Sequence, residues 1–108
     1  MFAPVYLDHN ATTPLHPAVL HLVSHVIQTA TRAGTPVAVC GEMAGDTSLT
    51  RLLLGFGLRN FSMHPAQLLP VKERVLRTSL ADAQPVAQRV LRQTDPAKTR
   101  EILARLNA

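Results

Sequence analysis

The sequence has no tryptophan, one tyrosine and three phenylalanines in 108 residues. So few rings cannot furnish the stacked aromatic platform on which single-stranded nucleic acid is read. The formal charge of +4 comes from eleven basic residues, nine of them arginine, against seven acidic ones. Basic side chains crowd the last third, but Glu73, Asp82, Asp95 and Glu101 are interleaved with them. That pattern suits solvated helix surfaces better than a face that tracks phosphates, so no nucleic-acid partner is expected. A single cysteine makes neither an internal disulfide nor a cysteine metal cluster, and it suits a reducing compartment. No apolar run approaches the roughly 18 residues of a membrane span. The N-terminus MFAPVYLDHN has no basic flank ahead of an apolar region. A cytoplasmic location with no membrane partner is the expectation. Internal repeats and low-complexity segments are also missing.

What is present is an apolar chain cut up by punctuation. Apolar residues make up 46% of it, and eight prolines and five glycines divide it. That supports one small globular unit, which buries only about 60 to 70% of its unfolded surface. Residues 4–7 predict a short strand, followed by polar residues 8–13 and Pro14. His16 and Pro17 predict a helix start, with the proline in the first turn where its missing donor costs nothing. Val19, Leu22, Val23, Val26, Ile27 and Ala30 recur at helical spacing, and Gly34 predicts a left-handed stop ahead of Thr35 and Pro36. After Met63 only helices are expected. One starts at Pro70 with Val71, Val75 and Leu76 buried, and one runs from a Ser79/Asp82 capping box to about Gln93 with a kink at Pro85. The last opens at Asp95 and Pro96, with Ile102, Leu103 and Leu106 as its apolar stripe.

The chemistry concentrates in residues 37–46, VAVCGEMAGD. Residues 37–39 are an apolar, branched run with no polar alternation, as expected of a strand covered on both faces. Cys40 ends it, Gly41 and Gly45 frame a turn, and Asp46 or Thr47 can cap a helix over residues 49–54 closed by Gly55 and Gly57. Residues 58–63 predict the next strand, which completes a compact βαβ unit. A reactive side chain where a parallel strand meets a glycine turn has the form of an active-site edge. Glu42 and Asp46 read better as turn and cap residues than as metal ligands, and Gly55, Gly57 and Arg59 better as a tight turn than as a phosphate loop. His64 reads as a helix cap.

From Leu15 onward, about 94 of the 108 residues resemble the C-terminal end of the phosphoenolpyruvate-protein phosphotransferases, enzyme I of the sugar phosphotransferase system. The resemblance is carried by LHPAVLHLVSHVIQ, PVAVCGEMAGD and LLLGFGLRNFSMHPAQLLPVKERV. More distantly, the Cys-Gly-Glu element is similar to that of pyruvate phosphate dikinase. The resemblance implies an α/β fold, helix-rich and incomplete: the last strands and helices of a (β/α)8 barrel that binds phosphoenolpyruvate. It implies that Cys40 is the proton donor to the methylene carbon of the enolate left when the phosphoryl group departs. An ordinary thiol is mostly protonated at neutral pH and can act as an acid without tuning. Gly41 would let the backbone turn close to substrate, a weaker assignment.

The resemblance also implies Mg²⁺, a phosphoacceptor histidine and a substrate clamp of arginine and asparagine, all on segments upstream of these residues. His9, His16, His21, His25 and His64 do not sit in the phosphohistidine motif. The implied partners are phosphoenolpyruvate and pyruvate in the complete barrel, a phosphocarrier protein in the complete enzyme, and a second copy or a complementing chain. Residues 1–14, with APVYLDHNATTP, instead resemble the opening of a cysteine desulfurase, but no pyridoxal lysine motif follows. The division expected is 1–14 outside the family and 15–108 within the barrel domain. Turnover by this chain alone is not expected. The alternatives are an interaction or dimerisation module, and a truncated remnant without function.

Overall fold

A computed structural model describes residues 5–8, as backbone, and residues 16–108. Its element order is β1 (Val5–Asp8), α1 (Pro17–Arg32), β2 (Val37–Cys40), α2 (Glu42–Gly45), α3 (Thr47–Phe56), β3 (Phe61–Ser62), α4 (Pro65–Leu76), α5 (Leu80–Leu91) and α6 (Pro96–Asn107). The polar segment 9–14, His9 among it, and Leu15 lie outside the described residues. The architecture is helix-rich α/β, as expected. Its sheet has three parallel strands in the order β1-β2-β3. Parallel neighbours need crossovers, and α1 provides the first, α2 with α3 the second. The strand that sequence reading set outside the family segment pairs along its whole length with β2, from Val5 opposite Val37 to Asp8 opposite Cys40.

α1 begins where expected. The His16 ring nitrogen Nδ1 accepts the Ala18 N–H at 3.1 Å, and Pro17 occupies the first helical position. Its buried side is Leu20, Val23, Ser24, Ile27 and Ala30, while Leu22, expected on that face, is 64% exposed. The phase is turned by part of a step because Ser24 is buried, its hydroxyl accepting from Gln28 at 2.9 Å. At its end Gly34 takes a positive φ of 72°, the conformation that stops a helix and that side chains with a Cβ resist.

The core lies between the sheet and the helices and is built on α3, which packs against α1, α2, α4, α5 and α6. Leu49, Leu52, Leu53 and Phe56 of α3 join Leu20, Ile27, Val39, Met43, Leu58 and Val90 there. Each such side chain, once fully buried, contributes about 1.5 to 3 kcal/mol. Gly55 does not close α3, contrary to expectation; it lies inside it, buried, and only Gly57, at φ 107°, ends it. A Cβ on Gly55 would meet the Ala83 carbonyl oxygen at 2.7 Å and the Ala87 Cβ at 2.8 Å. The glycine is there so that α5 can approach.

The later helices correct three further expectations. α4 starts at Pro65 rather than Pro70, because the His64 Nδ1 accepts the Ala66 N–H at 3.1 Å and Pro65 fits the first position. Pro70 and Pro85 both sit inside helices, on exposed positions four residues after the exposed Ala66 and Ala81. Each proline removes the donor that would have met the carbonyl four residues earlier. Within α4 only Val71 is buried; Val75 and Leu76 are exposed, contrary to the expected buried side. Ser79 is the N-cap of α5, but its side chain makes no capping hydrogen bond, so the capping box does not form. α6 conforms: the Asp95 Oδ1 accepts from Ala97 at 2.9 Å, and Ile102 and Leu103 are buried with Leu106 partly so.

Candidate functional site

β2 is short, and three of its four residues are buried, leaving Cys40 partly exposed at its C-terminal end. As the middle strand it has a neighbour on both sides, so Cys40 stands in register between Asp8 of β1 and Ser62 of β3. Ladder bonds fix this end: the Val39 N–H donates to the Asn60 carbonyl at 3.2 Å and the Gly41 N–H to the Ser62 carbonyl at 3.1 Å. The Asn60 side-chain amide adds a bond to the Val37 carbonyl at 3.3 Å. β3 is only two residues long, against the six expected. Leu58 is spent as a core residue after the Gly57 turn, and Arg59 donates to the carbonyls of Leu54 and Leu58. Gly57 and Arg59 thus form the helix-to-strand turn, as read, while Gly55 lies inside α3.

Directly after Cys40 the chain turns at Gly41, with φ 79° and ψ −151°, a region that residues with a Cβ essentially do not enter. The turn is tighter than expected: residues 42–45 form the one-turn helix α2, with the Gly45 N–H donating to the Gly41 carbonyl at 3.2 Å. Met43 and Ala44 anchor it in the core, and Glu42 is exposed. Asp46 then caps α3, its Oδ1 accepting the Ser48 N–H at 2.9 Å and the Ser48 hydroxyl at 2.6 Å. A cap of this kind stabilises by about 1 kcal/mol. So Cys40, Gly41, Glu42 and Asp46 do come together, as a strand end held by a rigid turn.

Glu42 and Asp46 are turn and cap residues, and His64 is a cap. Among the described residues no group of three or more His, Cys, Asp and Glu is arranged to hold a metal ion. The described residues therefore offer no ligand set for the Mg²⁺ implied by the resemblance. No helix among the described residues is long and apolar enough to cross a membrane. Sequence reading missed Ser62 as the neighbour of Cys40, since pairing between strands separated by a helix leaves no local signal. It also missed Arg51 and Arg74, which donate to the Leu106 carbonyl at 2.6 Å and the Asn107 carbonyl at 3.5 Å and tie down the end of α6.

Comparison with known proteins agrees with this geometry. Residues 5–80 match the family described as PEP-utilising enzyme, PEP-binding domain. The phosphoenolpyruvate-protein phosphotransferase of Cupriavidus necator is 58% identical over 93 residues, which cover 86% of this chain and 16% of that protein. The protein of the same name from Buchnera aphidicola subsp. Schizaphis graminum is 40% identical over 94 residues, 87% of this chain and 16% of the relative. That of Bacillus subtilis is 36% identical over 91 residues, 84% of this chain and 15% of the relative. The chain thus spans about a sixth of the length of these curated relatives. With the family match running through β1, the Cys40 strand end and the helices α1 to α4, the chain belongs to the PEP-utilising enzymes, in their PEP-binding domain.

Proposed function

We propose that this chain is the C-terminal part of the phosphoenolpyruvate-binding domain of a phosphoenolpyruvate-protein phosphotransferase. In the complete protein its sheet closes into a (β/α)8 barrel, and phosphoryl transfer to a protein histidine uses Mg²⁺, a substrate clamp and a phosphocarrier partner that other segments supply. The three parallel strands are the barrel's last, with further strands completing it at the open edges. Residues 5–8, β1, belong to that barrel in this reading, and the desulfurase-like wording around them is sequence history and not an activity. The protein works in the cytoplasm.

In this reading Cys40 is the acid of the pyruvate-forming half-reaction. Once the phosphoryl group has left, the enolate methylene carbon takes the proton of the Cys40 thiol, a C–H bond forms, and the thiolate recovers its proton from water. Gly41 lets the backbone pass close to the substrate. The observation that carries the reading is Cys40 itself: partly exposed at the C-terminal end of the central parallel strand, where barrel enzymes keep their chemistry, and followed by a glycine-only turn.

The test is complementation. Added to a relative's phosphotransferase truncated before this segment, the chain should restore pyruvate formation. Cys40→Ser should then slow proton exchange into pyruvate by about 10²-fold or more, the usual reach of a positioned acid, while phosphoenzyme formation holds within about threefold. Equal loss of both half-reactions contradicts the acid role, and no pyruvate with the unaltered chain sinks the larger reading. A second reading is favoured by the exposed Leu68, Leu69, Val75 and Leu76 of α4: association with a second copy or a complementing chain. Light scattering that shows one monomeric species across a dilution series would count against association with a second copy.

A further inference from the structure

Away from the Cys40 edge, α3, α4 and the end of α6 enclose a cavity of about 330 Å³ lined by Thr47, Arg51, Glu73, Arg74, Arg77 and Asn107. An adjoining cavity of about 190 Å³ shares Arg51 and Arg77 and reaches Ser79 and Asp82 at the start of α5. Three guanidinium groups thus face the joined clefts with the carboxylates of Glu73 and Asp82, and Ala108, the last residue of the chain, lines the first cleft too. Glu73 is already paired, lying 3.1 Å from Arg77 in an exposed contact. Arg51 and Arg74 each give one nitrogen to a carbonyl of α6, and a guanidinium has five N–H donors in a fixed fork, so most remain for another acceptor. The twelve-residue α5 points the positive end of its dipole at the same cleft, with no side-chain capping hydrogen bond and with Asp82 in its first turn.

We propose that this cleft is a binding site for a small phosphate-bearing anion, held by forked contacts from Arg51, Arg74 and Arg77. Forked guanidinium donors match paired phosphate oxygens better than a point charge does. The site is separate from the Cys40 strand end, none of whose residues lines it. It touches the same turn through Thr47, which follows the Asp46 cap, so a bound anion rests on the helix start that closes the Cys40 loop.

The test is a titration of the 108-residue chain with inorganic phosphate and then pyrophosphate, at constant ionic strength, followed by backbone amide chemical shifts. Saturable shifts on the residues lining the cleft are expected. Affinity should be about tenfold weaker in Arg77→Gln and lost in Arg51→Gln/Arg77→Gln. Arg89→Gln/Arg100→Gln removes the same charge elsewhere and should change it by less than about twofold. Because Arg51→Gln also releases α6, the single Arg77→Gln variant decides the matter if the double variant fails to fold. Equal weakening by both double variants, or shifts that never saturate, means an adventitious ion only and overturns the site. Binding seen only when the chain is lengthened beyond Ala108 also overturns it, since the cleft would then be the seat of the terminal carboxylate.

Discussion

α3 and α4 are neighbours of similar length, both opened by a side-chain cap, and they are opposites in what they bury. Seven of the ten residues of α3 are inside; of the twelve in α4 only Val71 is. The apolar content does not explain this, since Leu68, Leu69, Val75 and Leu76 of α4 are as suited to a core as anything in α3. Position does. α3 crosses between two paired strands and is surrounded by α1, α2, α5 and α6, whereas α4 follows the last strand, β3, and packs along one side, mainly on α3 with a smaller contact to α2. An interior helix and an outer helix should therefore respond to the same substitution by very different amounts.

The largest effect belongs at Leu52, which has no exposed surface. Leu52→Ala removes a side chain surrounded on all sides, and cores of this kind lose about 2 to 5 kcal/mol through lost transfer energy and the cavity left behind. A urea titration followed by circular dichroism reads it. A loss below about 1 kcal/mol would mean that α3 is not the hub of the core and that the contrast with α4 is apparent only.

Gly55 sharpens the same point with the opposite change. Alanine is intrinsically better than glycine in a helix by about 1 kcal/mol, so Gly55→Ala in an outer helix would stabilise. Here the new methyl would sit 2.7 Å from a backbone oxygen of α5, which cannot rotate away. A net loss of about 1 to 3 kcal/mol is expected, with partial recovery in Gly55→Ala/Ala87→Gly, since Ala87 is the other close neighbour. Stabilisation by the single change would show that α3 and α5 can separate freely.

These contrasts mark where the sequence was legible. Local chemistry was: His16, Asp46, His64 and Asp95 all cap as the spacing of polar residues and prolines suggests, and the strand ending at Cys40 is written in its branched, unalternating residues. Tertiary facts were not. Gly55 looks like a helix stop because glycine usually is one, and only the presence of α5 alongside reveals it as a packing residue. Val75 and Leu76 look buried because apolar periodicity reports a face without saying whether a partner is present. The candidate site divides the same way. Cys40 and Gly41 are adjacent in sequence and could be found together, whereas Ser62 reaches Cys40 through strand pairing and Arg51 reaches Leu106 across 55 positions.

The smallest effect on stability should come from α4, and it separates the two meanings of an exposed apolar face. Leu69 and Leu76 are 73% and 76% exposed, so Leu69→Ser/Leu76→Ser removes little buried area and should alter the unfolding free energy of the chain by no more than about 0.5 kcal/mol per site. If these leucines await the rest of a barrel or a second copy, the same variant should restore pyruvate formation in the truncated phosphotransferase only at about a hundredfold or more higher chain concentration, because burying the two leucines is worth about 3 to 6 kcal/mol together. Unchanged complementation would make the leucines ordinary surface residues. Destabilisation of the isolated chain by 2 kcal/mol or more would show instead that α4 is already covered in solution, and that the comparison with α3 describes one helix with its partner and another seen without it.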